Sequence, residues 1–317
     1  MLKAYDYVEN IYGRTTIQST ENFDKELKLA KSAVNRVLRL ESDTNYACPG
    51  CHETEFVPFF TKWNVEYFRC AKCGSVFAIV DRQTLDAYQN DAELRYFRNS
   101  KDYQEEATQK RTFSWQELID WMSFRSYRYL GKNQGLHILS GGDRYAGFID
   151  LITRSTLCSS YHTLQDSENN LPADVGLSLN LIQQTDNPVK HLIAMNQHLQ
   201  EGAILFLSAR IGTGFDILVL REHAQIYPYE YVSLLSKKGI ENVLREAGFD
   251  LLDYSTPGSM DVGYVQSKYA FIPQEELFIK NLISSSDQLL LGEFQRFLQK
   301  SGMSSYAHIV AKKVEER

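Results

Sequence analysis

Residues 136–148 read LHILSGGDRYAGF. A short apolar run with strand character meets Ser140, Gly141 and Gly142, and helix-like spacing resumes after Asp143 and Arg144. Strand, glycine turn, helix is the order in which many α/β proteins build a nucleotide site. The glycines let backbone approach a ligand, and a helix N-terminus favours an anion. The same three elements also make a plain tight turn, so the rest of the chain decides what the stretch means.

Downstream the rhythm repeats. Strand-like runs LHIL, DVGLSLNLI, GAILFLSA, GFDLLDYS and AHIVAKK alternate with helix-like PVKHLIAMNQHLQ and SKKGIENVLREAG. That alternation predicts a mostly parallel sheet flanked by helices over 135–317. Gly202 and Gly248 each stand between a helix-like run and a strand, where a positive φ is wanted.

Upstream the composition differs. ENFDKELKLAKSAVNRVLRL (21–40) places Phe23, Leu27, Ala30, Val34, Val37 and Leu38 at three- and four-residue spacing, an amphipathic helix within an N-terminal helical segment 1–45. A helical connector spans 81–134, with helices expected around Leu85–Phe97 and Trp115–Tyr129. The charged NSKDYQEEATQKR between them reads as a solvated helix face or a connection. The connector's aromatics, with the cysteine-rich module, are expected to pack across the mouth of the α/β domain near Tyr227 to Tyr231.

Between these lies a module at 46–80. Cys48 and Cys51 form one C-x-x-C, Cys70 and Cys73 a second. Two residues between thiols let both point at one ion, and two such turns complete a tetrahedral site of zinc-ribbon type. Four protein ligands leave no position for water, so the zinc is structural. His52 reads as a solvent-facing neighbour, and Cys158 as a small core residue.

With 43% hydrophobic and 23% charged residues the chain has material for a packed core. A net charge of −6 and the lack of a Lys/Arg-rich ribbon argue against a zinc-ribbon nucleic-acid binder, and the aromatics of TKWNVEYFRCAK read as ribbon packing. No signal peptide and no run near the roughly 20 apolar residues of a membrane span is visible, so a cytoplasmic location is expected.

Several segments together resemble class I S-adenosylmethionine-dependent methyltransferases with an N-terminal zinc-binding domain, of the sugar and surface-polysaccharide type. They are the four-cysteine module with YFRNSK, then DNPVKHLIAMNQHLQEGAILFLSA, then GFDILVLREHAQIYPYEYVSLLSKKGIENVLREAGFDLLDYSTPGSMDVGYV, then SSYAHIVAKK. The resemblance covers most of the chain from Cys48 on. It implies a Rossmann-like sheet, S-adenosylmethionine bound at the turn Ser140, Gly141, Gly142, Asp143, a small-molecule substrate such as a nucleotide sugar, and catalytic groups at His223, Glu230 and Tyr231.

Residue by residue the chain departs from that pattern. The family's acidic-x-Gly-x-Gly-x-Gly becomes Ile138, Ser140, Gly142 and Arg144. The Glu-His of its Pro-Pro-Glu-His segment becomes Glu230-Tyr231, and the acid and histidine of its V-L-E-H become Gln184 and Thr185. Tyrosine, with an ordinary pKa of about 10, is a poorer base near neutrality than histidine. Too few residues separate the turn from DVGLSLNLI for the usual second strand, helix and third strand, which predicts a trimmed strand–helix unit. Asp166 is the sole acid near the expected ribose-binding strand end. Two function classes stay open: a methyltransferase with an eroded cofactor site, or an inactive scaffold or partner of another biosynthetic enzyme.

Overall fold

The structure, a computed structural model, describes residues 21–37, 46–142, 146–165 and 172–314. Asp143, Arg144 and Asp166 lie outside the described residues, as do 1–20 and Leu38 of the N-terminal segment.

The chain is mixed α/β. Strands β4 (Leu136–Ser140), β5 (Cys158–Thr163), β6 (Ala173–Leu179), β7 (Leu199–Arg210), β9 (Phe249–Ser255) and β10 (Tyr306–Lys313) form one sheet in the order β5-β4-β6-β7-β10-β9. The first four run parallel, and β10 is antiparallel to both its neighbours. β6 is buried up to its last residue and β7 from Ala203 to Ala209. Strands covered on both faces read as continuous apolar runs, which is why DVGLSLNLI and GAILFLSA stood out.

Order reverses between β4 and β6. The chain passes from β4 outward to β5 through α5 (Ala146–Thr153), then returns to the other side of β4. Such a switch point opens a crevice at the carboxyl ends of the strands. Only residues 164–172 join β5 to β6, too few for a further helix and strand, and among the described residues β5 is the sheet edge.

Helices cover the two faces. On one lies α4 (Lys101–Leu130), whose Trp115, Ile119, Trp121 and Met122 pack with Ile138, Val175, Leu177, Phe206 and Val310. Burying side chains of this size stabilises by roughly 2 kcal/mol each. Gly131, at φ 73°, ends the helix in the left-handed conformation. The polar stretch read as a solvated face or connection is the first part of this one helix; its only buried residues before Trp115 are Tyr103 and Ala107. On the other face α6 (Pro188–Gln197) and α8 (Lys237–Glu246) bury Val189, Leu192, Met195, Ile240, Val243 and Leu244. Asn187 caps α6 ahead of Pro188, and Ser236 caps α8.

A second sheet has the order β1-β2-β3-β8. β1 (Phe56–Lys62), β2 (Val65–Cys70) and β3 (Val76–Ala78) come from the cysteine-rich module, whereas β8 (Ser233–Leu234) comes from far down the chain. Tyr67, Val76 and Phe60 share a core with Ala30, Ala33 and Val34 of α1 (Glu21–Arg36) and with Ile226, Tyr227 and Tyr229. Capped by Asp81 and Asp91, α2 (Arg82–Gln89) and α3 (Ala92–Arg98) divide the single helix expected around 85–97. Four helical segments, among them α9 (Asp261–Ser267), α10 (Leu277–Ile283) and α11 (Gln288–Lys300), fill the crossing from β9 to β10. Among the described residues no helix is long and apolar enough to cross a membrane.

Candidate metal centre and glycine turn

The four cysteines converge. Cys48 and Cys73 Sγ lie 3.5 Å apart, as do Cys51 and Cys70, and all four sulfurs fall within 4.8 Å of one another. A tetrahedron with metal–sulfur bonds of about 2.3 Å has edges of about 3.8 Å, so the donor set fits a zinc-sized ion. Backbone amides of Gly50 and Cys73 donate to Cys48 and Cys70 Sγ, the pattern of turns folded around sulfur. Burial pushes the Cys51 thiol up to about 11. A cation between the sulfurs reverses that preference and binds the thiolates. Phe56 packs edge-on against Phe68 and Phe77 beneath the cluster, so these three serve the ribbon's interior, whereas Phe60, Trp63 and Tyr67 face the core shared with α1.

The module is fused to α8. Ser236 Oγ donates to Cys73 O at 2.6 Å and accepts from Gly239 N at 3.0 Å, capping the helix and holding a ligand turn at once. Ser236 N donates to Ser75 Oγ, which lies 3.2 Å from Cys73 Sγ. Gly50 rests on the helix at Gly239: a Cβ on Gly50 would stand 3.0 Å from Gly239 Cα, and one on Gly239 2.4 Å from Ser75 Oγ. Asn242 reaches Gly50 O, and Glu246 pairs with His52. Gly239, Asn242 and Glu246 thus form one stripe against the first cysteine turn. His52, expected to face solvent, is exposed yet engaged.

The glycine turn sits at the switch point, after β4. Ser140 is buried; its Oγ donates to Gly142 O and accepts from Gly142 N. Gly141 N donates to Leu177 O of β6. Leu181 and His191 pack on the turn: a Cβ at Gly141 would meet His191 Cε1 at 2.9 Å and Leu181 Cδ1 at 3.1 Å. Ser178 Oγ lies 3.0 Å from His191 Nε2, and burial holds the imidazole down at about 4, hence neutral. Ile138, at the position of the family's acid, is fully buried in the core under α4. In the described part of the turn Gly141 N and Gly142 N are both engaged within the protein, the first as a continuation of the β4–β6 ladder.

His223, Glu230 and Tyr231 lie on one loop after α7 (Phe215–Leu220), in three surroundings. His223 is exposed and stacks on Phe271 at 4.3 Å. Glu230 is buried, accepts from Tyr88 at 2.8 Å and pairs with Arg98, which also binds Glu26 of α1. Tyr231 is half-buried under the Arg210 guanidinium, 5.9 Å from its ring centre. The structure ties this loop to the cysteine module: Trp63 stacks on Tyr227 at 6.0 Å, and Lys62 donates to the carbonyls of Glu222 and Ala224. Contact between the module and Tyr227 to Tyr231 was expected; the long helix α4 instead lies along a sheet face, with Phe124 and Tyr127 exposed.

Sequence reasoning missed Lys62, Arg210 and the serines at 75 and 236. Arg210 ends β7 and pairs with buried Asp216, which also binds Ser305. Lys62 is held down at about 8 by burial. Their sole advance signal was a charge at the end of an apolar strand or beside a turn; Trp63 and Asn64, at φ 49° and 64°, make that turn.

No protein-family model matches the sequence, and no curated protein matches it. Solved structures do. The plantazolicin methyltransferase BpumL, in complex with a pentazolic desmethylPZN analog and SAH, is 14% identical over 73% of this chain and 95% of its own, at TM-score 0.42. A putative sarcosine dimethylglycine methyltransferase from Galdieria sulphuraria is 10% identical over 63% and 86%, at 0.39. The [4+2]-cyclase SpnF is 14% identical over 62% and 80%, at 0.35. These are weak likenesses, and the α/β assignment stands on strand order and register.

Proposed function

We propose that this chain is a class I methyltransferase-like protein of a sugar-nucleotide or surface-polysaccharide pathway whose S-adenosylmethionine site has eroded. One observation carries the erosion: Gly141 N and Gly142 N are engaged by Leu177 O and Ser140 Oγ, under the side chains of Leu181 and His191. The short connection 164–172 between β5 and β6, with too few residues for a further strand–helix unit, points the same way. Pathway and substrate class rest on the sequence resemblance alone.

The same closure favours a second reading, a catalytically inactive scaffold or partner subunit of an active biosynthetic enzyme. Calorimetric titration with S-adenosylmethionine and S-adenosylhomocysteine tests both. The expected outcome is no saturable binding below about 1 mM, a free energy weaker than about −4 kcal/mol. Micromolar binding of S-adenosylhomocysteine, abolished by Asp143→Ala, overturns the erosion and restores an active methyltransferase, with His223, Glu230 and Tyr231 as the first residues to vary.

A further inference from the structure

The metal module and the glycine turn are far apart in sequence, yet a run of hydrogen bonds, ending in the packing of Leu181 on the turn, joins them. β8 pairs with β3 through Val76 to Leu234 and Phe77 to Ser233, and Ala78 N donates to Val232 O at 2.9 Å. From its other side the same segment grips the loop after β6. Val232 N donates to Gln183 O at 2.8 Å, and Ser233 Oγ donates to Thr185 O at 2.7 Å. That loop is folded on itself by Gln184 N to Leu181 O and Gln183 Nε2 to Asn180 Oδ1. Leu181 is the side chain packed on Gly141 and Gly142. At the opposite end Ser236, two residues beyond β8, binds the carbonyl of the ligand Cys73.

We propose that metal bound at Cys48, Cys51, Cys70 and Cys73 sets the position of residues 180–185, which pack on Gly141 and Gly142, through β8. The ribbon strand β3 is only three residues long: Val76 and Ala78 face the core shared with α1, Phe77 packs with the cysteines, and the Cys73–Ser75 turn leads directly into it. Small modules of this kind owe their folding to the ion. Without it the Cys73–Ser75 turn at the start of β3 loses its hold, and with it the bonds of that turn to Ser236, so that β8 shifts and Ser233 no longer holds Thr185. The inference rests on the four thiols as a metal site; it is independent of what the crevice binds.

Hydrogen exchange on the full chain tests it, with metal content measured on each sample. Stripping the ion with a chelator is expected to speed exchange at least tenfold in 76–78, 232–236 and 180–185 and to leave 306–313 protected. Unchanged protection of 180–185 in stripped protein that keeps 306–313 protected overturns the proposal. Should stripping unfold the whole chain, Ser233→Ala decides through the reciprocal effect: faster loss of zinc to a chelator than in the parent protein supports the coupling, and unchanged zinc loss overturns it. Well-folded protein purified without metal overturns the metal site itself, a result distinct from either.

Discussion

Gly141 shows how much one hydrogen atom decides. Its Cα faces His191 and Leu181 at distances that leave no space for a methyl group. Gly141→Ala is expected to destabilise by about 1–3 kcal/mol through overpacking. Leu181→Ala in the same chain should recover part of that loss, since the two side chains compete for one volume. Urea midpoints of the parent protein and the three variants check this; strictly additive effects would show that Leu181 is not the obstacle. His191 makes a pH prediction. Folded, its imidazole stays neutral down to about 4; unfolded, it binds a proton near 6.5. The unfolded state therefore binds more protons between those values, and stability present above pH 6.5 falls as pH drops towards 4, by up to roughly 3 kcal/mol. His308, also held down at about 4 by burial, adds the same sign. His191→Gln should flatten the difference in urea midpoint between pH 7 and pH 4.5; an unchanged difference would show that the imidazole is already charged in the folded state.

At the scale of elements, the cysteine ribbon and helix α8 act as a pair. The protein is expected to purify with one zinc per chain, read by metal analysis without added metal. Cys70→Ser should lose that zinc and open the cysteine turns at 48–51 and 70–75, because the ion holds these turns, while Phe60, Tyr67 and Val76 keep the strands on the core shared with α1. The six-stranded sheet, with its own two cores, should keep its exchange protection. Gly239→Ala inverts a common rule. Alanine usually favours a helix by about 1 kcal/mol over glycine. Here its Cβ would stand 2.4 Å from Ser75 Oγ and push the ribbon off the helix. A lowered melting temperature with weaker zinc retention is expected; a stabilised protein would mean the junction can shift at little cost.

Across the whole molecule, Glu230 joins parts that no local rule brings together. It accepts from Tyr88 of α2 and pairs with Arg98 of α3, and Arg98 reaches Glu26 of α1. Truncating a buried, paired carboxylate strands its partners, so Glu230→Ala is expected to cost about 3 kcal/mol. Chemical denaturation checks it. A variant of unaltered stability would move Glu230 from the packing of these helices towards a chemical role.

The alternation of apolar runs announced strands β4, β6, β7, β9 and β10: β6 and β7, buried on both faces, leave unbroken apolar sequence, whereas the half-buried edge strand β9 shows as a shorter run. The paired cysteines announced their cluster, since two-residue spacing has one economical use. What stayed hidden depends on distant partners. β5, as Cys-Ser-Ser-Tyr-His-Thr, carries no apolar period, and β8 is two residues long; both are strands only because β4 and β3 offer them hydrogen bonds. The polar half of α4 is helical by continuity with the buried half. Ser140, Gly141 and Gly142 were legible as a turn at a strand end. That their amides are spent on Leu177 and Ser140, with Leu181 and His191 packed over them, was set by the loop after β6 and by α6, whose places against the turn only the tertiary fold could assign.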